Sequence, residues 1–154
     1  MHRQGTEAVI ICTGSKQGIT NPPGNGAYNA TKAAVKSMVE HVAWELRQQE
    51  SHVTAHLLVP GWTFTGLTAT ADGRKPDGAW TADQVIEYLM QRIDVPPANK
   101  EFYIICPDNS VDTATDNARM LWNVNDIIEK RPALSRWSDA HKDEYEAFVR
   151  EKVA

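Results

Sequence analysis

The stretch AVIIC, residues 8–12, decides the fold of this chain. It is short, rich in β-branched residues and followed at once by the turn sequence TGS, so it predicts a buried strand of the kind found in parallel sheets. The runs VTAHLLV (residues 53–59) and FYIIC (residues 102–106) have the same character, and each ends at a proline. We therefore expect three buried strands.

Helical patterns follow each of these strands. In the first, apolar residues from Val35 through Val39 and Val42 to Leu46 recur at spacings of 4, 3 and 4, which is the stripe of an amphipathic helix. The second opens with the capping-box sequence TADQ at residues 81–84. The expected helices are residues 28–49, 81–93, 113–130 and 139–153. Strands that alternate with helices imply an α/β fold with a parallel sheet, because parallel neighbours need crossover connections.

Composition excludes several classes of function. The chain has 154 residues and a net charge of −4 without charged blocks, so the basic surface of a nucleic-acid binder is missing. No apolar run reaches the length of a membrane-spanning helix, and the first residues lack the apolar core of a secretory signal. Cys12 and Cys106 lie in apolar runs and are interpreted as reduced core thiols. We therefore expect a cytoplasmic protein that acts on neither nucleic acid nor membranes.

No metal site is expected. His52 and His56 share a face of the predicted strand but stand about 13 Å apart at about 3.3 Å per residue, too far to hold one ion. We interpret both as surface histidines. The tryptophans Trp44, Trp122 and Trp137 are interpreted as packing residues.

Three short motifs fall where a parallel sheet places its ligands. Ser15 follows the first strand, and Pro60-Gly61 follows the second. Ligands of open α/β sheets bind at the carboxyl ends of the strands. Tyr28 and Lys32 are one helical turn apart on one face, and they reach the same place if the intervening loop folds back.

Taken together, these motifs resemble the catalytic half of a short-chain dehydrogenase/reductase. The matching sequences are GSxxG at residues 14–18, YxxxK at 28–32 and PGxxxT at 60–65, with 13 residues from the serine to the tyrosine and 32 from there to the Pro-Gly turn. The segment from Phe102 to Trp137 is similar to a subgroup of that family. The resemblance implies a partial Rossmann-like, doubly wound sheet of about three strands, forming a single domain over residues 1–154.

The chemistry of that family fits these residue types. Reduction of a carbonyl by hydride transfer needs a proton donor at the developing alkoxide, and the ordinary tyrosine pKa of about 10 is high for that task. An ammonium about 4 Å away favours the phenolate by roughly 4 kcal/mol at an effective dielectric of about 20. The resemblance therefore implies that Tyr28 is the acid/base, that Lys32 tunes it and that Ser15 orients and polarises the substrate oxygen.

The resemblance also implies where the cofactor and the substrate lie. Tyr28 and Lys32 would contact the nicotinamide ribose side of NAD or NADP, whose identity stays open. The other cofactor-binding residues would be Pro60, Gly61, Thr63 and Thr65. The substrate, a small-molecule carbonyl or alcohol, would contact Ser15, Gln17, Trp62 and Phe64, under a lid at residues 62–80. The aromatic content of this lid favours a bulky or apolar substrate.

One family motif does not occur in the 154 residues. The glycine-rich dinucleotide turn GxxxGxG is missing, since the partial match at residues 14–18 has Thr20 where the third glycine would stand. The family's residue for choosing NAD or NADP and its catalytic asparagine would lie in the same missing half. We therefore expect a truncated product or a fragment of a longer enzyme, inactive and weak in dinucleotide binding by itself.

Three further interpretations stay open. The chain could be a non-catalytic remnant or an interaction module that keeps half of a site. A hydrolase has little support, because GSK at residues 14–16 lacks the GxSxG nucleophile elbow. The long helix has a second face of smaller residues, which favours a homodimer or homotetramer of the full-length protein. This face comprises Ala30, Ala33, Ser37, His41 and Trp44.

Overall fold

The computed structural model describes residues 5–154. Three strands alternate with helices, and a helical pair completes the chain. The elements are β1 (Ala8–Thr13), α1 (Gln17–Thr20), α2 (Gly26–Gln48), β2 (Val53–Val59), α3 (Ala82–Ile93), β3 (Tyr103–Ile105), α4 (Thr113–Ile128) and α5 (Lys142–Val153), with 3₁₀ turns at Pro97–Asn99, Ser135–Trp137 and Asp139–His141.

The three strands form one parallel sheet in the order β1-β2-β3. Ala8 lies opposite Val53 in the first pair, and Leu57 lies opposite Tyr103 in the second. The central strand is buried along most of its length, as expected for a strand covered on both faces. The predicted α/β fold with a three-stranded parallel sheet is confirmed.

Each face of the sheet packs against a different helix. Along β2, the alternate residues Ala55, Leu57 and Val59 pack against α2. Leu58 points to the opposite face and packs against Val85 and its neighbours on α3. One crossover joins β1 to β2 through α2, and the other joins β2 to β3 through α3. Both proceed in the same direction across the sheet, but the two helices lie on opposite faces, so the two crossovers have opposite hands. One of them therefore departs from the usual right-handed rule, and the long connection at residues 60–81 gives the chain room to do so.

The helix boundaries follow from local caps. The α2 helix begins at Gly26, two residues before the predicted start, because Asn25 Oδ1 accepts a hydrogen bond from the Tyr28 amide at 3.1 Å. The capping box at Thr81 is present as predicted, with Gln84 completing it. The short helix α1 lies partly in a segment that the sequence predicted as loop. Along α2, Ala43 is buried where the predicted stripe placed Val42, whose side chain is exposed.

The C-terminal helices pack around one tryptophan. Trp122 is 1% exposed, and its ring contacts those of Tyr145 and Phe148 at 5.4 and 5.3 Å between centroids. The Arg131 guanidinium lies 3.6 Å from the Trp122 ring centroid. The packing interpretation is confirmed for Trp122, whereas Trp44 is 54% exposed on α2.

One histidine prediction is wrong. His56 is 3% exposed on β2 rather than on the surface. Its ring nitrogens lie 2.6 Å from the carbonyl oxygen of Glu101 and 2.8 Å from the Thr54 hydroxyl, so burial leaves neither nitrogen without a partner. Of the two thiols, Cys106 is fully buried and Cys12 is partly exposed. Within residues 5–154, no helix has the length and apolar character needed to cross a membrane.

Candidate active site

The carboxyl ends of β1 and β2 open into a cleft of about 600 Å³. The two strand ends are joined by a hydrogen bond from the Gly14 amide to the Leu58 carbonyl oxygen at 2.7 Å. Nine of the ten residues predicted for the site line this cleft, and Phe64 is outside its lining. The nine are Ser15, Gln17, Tyr28, Lys32, Pro60, Gly61, Trp62, Thr63 and Thr65.

The phenol and the amine lie on the same side of α2. Lys32 Nζ is 5.8 Å from the centroid of the Tyr28 ring and donates a hydrogen bond to the Thr13 carbonyl oxygen at 3.0 Å. Thr13 is the last residue of β1, so this bond anchors the ammonium at the end of the sheet. An ammonium has three donors, which leaves Lys32 with further capacity for a ligand.

A buried asparagine folds the intervening loop back toward α2. Asn29 is 2% exposed, and its Nδ2 donates to Asn21 Oδ1 at 3.0 Å and to the Pro22 carbonyl oxygen at 2.7 Å. These bonds hold the start of the loop against the first turn of the helix that carries Tyr28. The sequence analysis did not single out Asn29, because its partners could not be identified from residue type alone.

Ser15 is placed by the close packing of α1 on α2. Its Oγ accepts a hydrogen bond from the Gln17 amide at 3.2 Å, and its carbonyl oxygen accepts one from the Gly18 amide at 3.0 Å. A Cβ on Gly18 would lie 2.5 Å from the Lys32 carbonyl carbon. Only glycine permits this approach, which brings the serine segment beside the lysine.

The Pro60-Gly61 turn is packed against the end of β3. A Cβ on Gly61 would lie 2.9 Å from Asp108 Oδ2 and from the Pro107 carbonyl oxygen. Gly61 was predicted from the sequence as a cofactor-binding residue. The structure supplies a separate reason for glycine at this position, which is the space taken by the segment that follows β3.

The predicted lid at residues 62–80 is tied together at its base. The Phe64 amide donates to the Trp80 carbonyl oxygen at 2.7 Å, and the Trp80 amide donates to the Trp62 carbonyl oxygen at 2.8 Å. At its tip, Leu67 lines the cleft and is 89% exposed. An apolar side chain this exposed at a cleft rim is available to contact an apolar ligand.

Among residues 5–154, the charged residues that line the cleft are two lysines, Lys16 and Lys32. Lys16 Nζ lies 2.5 Å from Asp116 Oδ2 and 3.7 Å from Asp108 Oδ2. Burial raises the pKa of Asp116, and the hydrogen bond and charge of Lys16 oppose that shift. Lys16 and both aspartates were not predicted from the sequence, although Asp108 follows the third strand at the end of the sheet where ligands are expected.

Comparisons with known proteins show which proteins this chain is similar to. Residues 1–75 match the profile of the family described as short chain dehydrogenase. The chain is 28% identical over 116 residues to a CLA biosynthesis dehydrogenase/reductase of Lactiplantibacillus plantarum, over 75% of this chain and 40% of that protein. A short chain dehydrogenase/reductase from Burkholderia phymatum, solved in complex with NAD, has a similar fold, with a TM-score of 0.67 and 23% identity over 86% of this chain and 52% of that one.

The first 75 residues are thus similar to short chain dehydrogenases, and the fold of the chain is similar to that of one such protein. The chain spans 40% of the curated relative and about half of the solved structure.

Proposed function

We propose that this chain is the catalytic part of an NAD(P)-dependent short-chain dehydrogenase/reductase that interconverts a carbonyl and an alcohol. The observation that carries the proposal is the convergence of Ser15, Tyr28 and Lys32 on one cleft at the carboxyl ends of β1 and β2. The family match over residues 1–75 includes all three.

In the direction of reduction, the Tyr28 hydroxyl donates its proton to the substrate oxygen while negative charge develops there. The Lys32 ammonium stabilises the phenolate that remains, and the Ser15 hydroxyl donates a hydrogen bond to the same substrate oxygen. In the direction of oxidation, the phenolate accepts the alcohol proton. A nicotinamide dinucleotide, when bound beside these residues, would supply or take up the hydride.

The residues of the cleft fit the nicotinamide end of such a cofactor. Lys32 retains free donor capacity for ribose hydroxyls, and Tyr28 lies beside it. The cleft volume of about 600 Å³ falls in the range of small-molecule sites. Pro60 and Gly61, with Thr63 and Thr65, would contact the nicotinamide from the other side.

The substrate we propose is bulky or apolar. Trp62 and Leu67 line the cleft and are 44% and 89% exposed, so a ligand that covers them would bury apolar surface. Ser15 and Gln17 would supply the polar contacts. Phe64 does not line the cleft, and we propose that closure of the lid brings its side chain to the substrate.

A second candidate is a non-catalytic remnant or interaction module. It is favoured by one observation, the lack of a GxxxGxG sequence in the 154 residues. For the same reason we propose that the isolated 154-residue chain binds dinucleotides weakly and is inactive. Sub-micromolar binding of NADH or NADPH to it, measured by calorimetry, would contradict this part of the proposal.

For assembly, we propose a homodimer or homotetramer of the full-length protein in the cytoplasm. Support comes from the exposed face of α2, where Met38 is 67% and Trp44 is 54% exposed. A monomeric sedimentation coefficient for the full-length protein would contradict the proposed assembly.

The experiment that tests the reaction is dinucleotide-dependent turnover of an alcohol and ketone panel, by this chain and by any longer natural form of the protein. Replacing Tyr28 by Phe removes the proton donor and should lower kcat by about 10²- to 10⁴-fold. Tyr103→Phe is the matched control, because its hydroxyl bonds Glu40 away from the cleft. Turnover by Tyr28→Phe at the wild-type rate would contradict the assignment.

A further inference from the structure

The β3–α4 connection, residues 106–112, packs against the turn that follows β2. Asp108 has a side chain only 6% exposed, and its Oδ1 accepts hydrogen bonds from the amides of Ser110 and Val111 at 2.9 and 2.8 Å. Its Oδ2 accepts a third from the Trp62 amide at 3.0 Å. One carboxylate therefore joins the connection to the base of the lid.

The same carboxylate reaches the serine side of the cleft through Lys16. Lys16 is the residue after Ser15, and its Nζ lies 3.7 Å from Asp108 Oδ2 and 2.5 Å from Asp116 Oδ2. Hydrogen bonds and ion pairs of charged groups are stronger than those of neutral groups, and buried carboxylates require such partners. The Ser15 segment and the Trp62 segment are thus both held by Asp108.

Glycines allow this close approach on the lid side. A Cβ on Gly61 would lie 2.9 Å from Asp108 Oδ2, and one on Gly78 would collide with Ser110 Oγ. The Asn109 amide also donates to the Gly78 carbonyl oxygen at 3.1 Å. The connection therefore holds both the beginning and the end of the lid.

We propose that Asp108, with Lys16 as its ion-pair partner, is a positioning residue that sets the separation between the Ser15 side and the Pro60–Trp62 side of the cleft. This inference rests on the proposed function of the cleft. Because Asp108 acts on the walls rather than on Tyr28, its loss should weaken ligand binding more than it slows proton transfer.

Hydrogen exchange tests the contact without requiring turnover. In Asp108→Asn the amide group cannot accept from every donor that the carboxylate holds, so exchange of the amides at residues 61–64 should accelerate about tenfold or more. Asp112→Asn is the matched control: it removes the same charge from the same connection, where Asp112 caps α4. Unchanged exchange at residues 61–64 in folded Asp108→Asn would overturn the proposal.

Steady-state kinetics, measured on a form of the protein that shows turnover, distinguishes a positioning role of Asp108 from a general loss of structure. We expect Asp108→Asn to raise the KM for dinucleotide about tenfold while kcat changes less than about threefold. Lys16→Met should act in the same direction, and Lys16→Arg should restore the wild-type KM. A fall in kcat with unchanged KM would overturn the positioning role. Absence of dinucleotide turnover both by this chain and by any longer natural form of the protein would refute the proposed function, and the exchange experiment would still decide the positioning contact.

Discussion

At the scale of single residues, the placement of the candidate catalytic groups in one cleft could be predicted, because each lies close to the end of a strand or the start of a helix. Ser15, Tyr28 and Lys32 all stand within a few residues of an element boundary. Asp108 could not be predicted in its role, since its contact with Trp62 spans 46 positions and depends on the sheet order. His56 was predicted wrongly, because one of its partners, the Glu101 carbonyl oxygen, comes within reach only when β3 pairs with β2.

The buried thiol of Cys106 gives a pH-dependent prediction. Burial raises its pKa from the ordinary value of 9.0 to about 11, with Arg92 and Lys16 opposing the shift. The unfolded chain therefore loses this proton at lower pH than the folded protein does, so the stability contribution is present below pH 9 and is lost as the pH rises to 11.

We expect the free energy of unfolding to fall by about 2 kcal/mol more between pH 9 and 11 for the wild type than for Cys106→Ala. Urea denaturation at each pH measures it. Cys106→Ala serves as the control because it retains every other group that titrates between pH 9 and 11. Parallel pH profiles of the two proteins would show that the thiol is not held neutral by burial.

At the scale of elements, the sequence predicted every strand and the four longer helices, because periodicity and caps are local signals. It missed α1, whose four residues are stabilised by packing on α2 rather than by their own pattern. The opposite hands of the two crossovers are equally invisible in the sequence. They follow from which face α3 covers, and that depends on the path of the connection at residues 60–81.

The α1–α2 contact gives a prediction at this scale. In Gly18→Ala the new methyl group would overlap the backbone of Lys32, so α1 must move away from α2. We expect a loss of about 3 kcal/mol in the free energy of unfolding, measured by urea denaturation. The loss should be accompanied by displacement of the Ser15 segment.

Gly26→Ala is the matched control for this substitution. No atom lies within 4 Å of a Cβ at Gly26, and alanine favours a helix by up to about 1 kcal/mol over glycine. The control should therefore be neutral or slightly stabilising. Equal stability of the two alanine variants would mean that α1 does not pack on α2 as described.

At the scale of the whole molecule, the described residues form the sheet β1-β2-β3 and a cleft at the carboxyl ends of β1 and β2. The chain covers 52% of the similar NAD-bound structure, and the glycine-rich turn is missing from its 154 residues. We therefore propose that these 154 residues carry the groups that react with the substrate but little of the surface that binds the dinucleotide. Weak dinucleotide binding by the 154-residue chain is expected from it.

The most direct measurement of the central claim is the fate of a labelled hydride. The active protein is given a nicotinamide dinucleotide carrying deuterium at the transferable position, together with an apolar ketone, and the alcohol product is analysed by mass spectrometry. We predict one deuterium on the carbinol carbon with the wild type and a yield about 10²- to 10⁴-fold lower with Tyr28→Phe. Alcohol formed without the label, or labelled alcohol formed in equal yield by both proteins, would contradict the account.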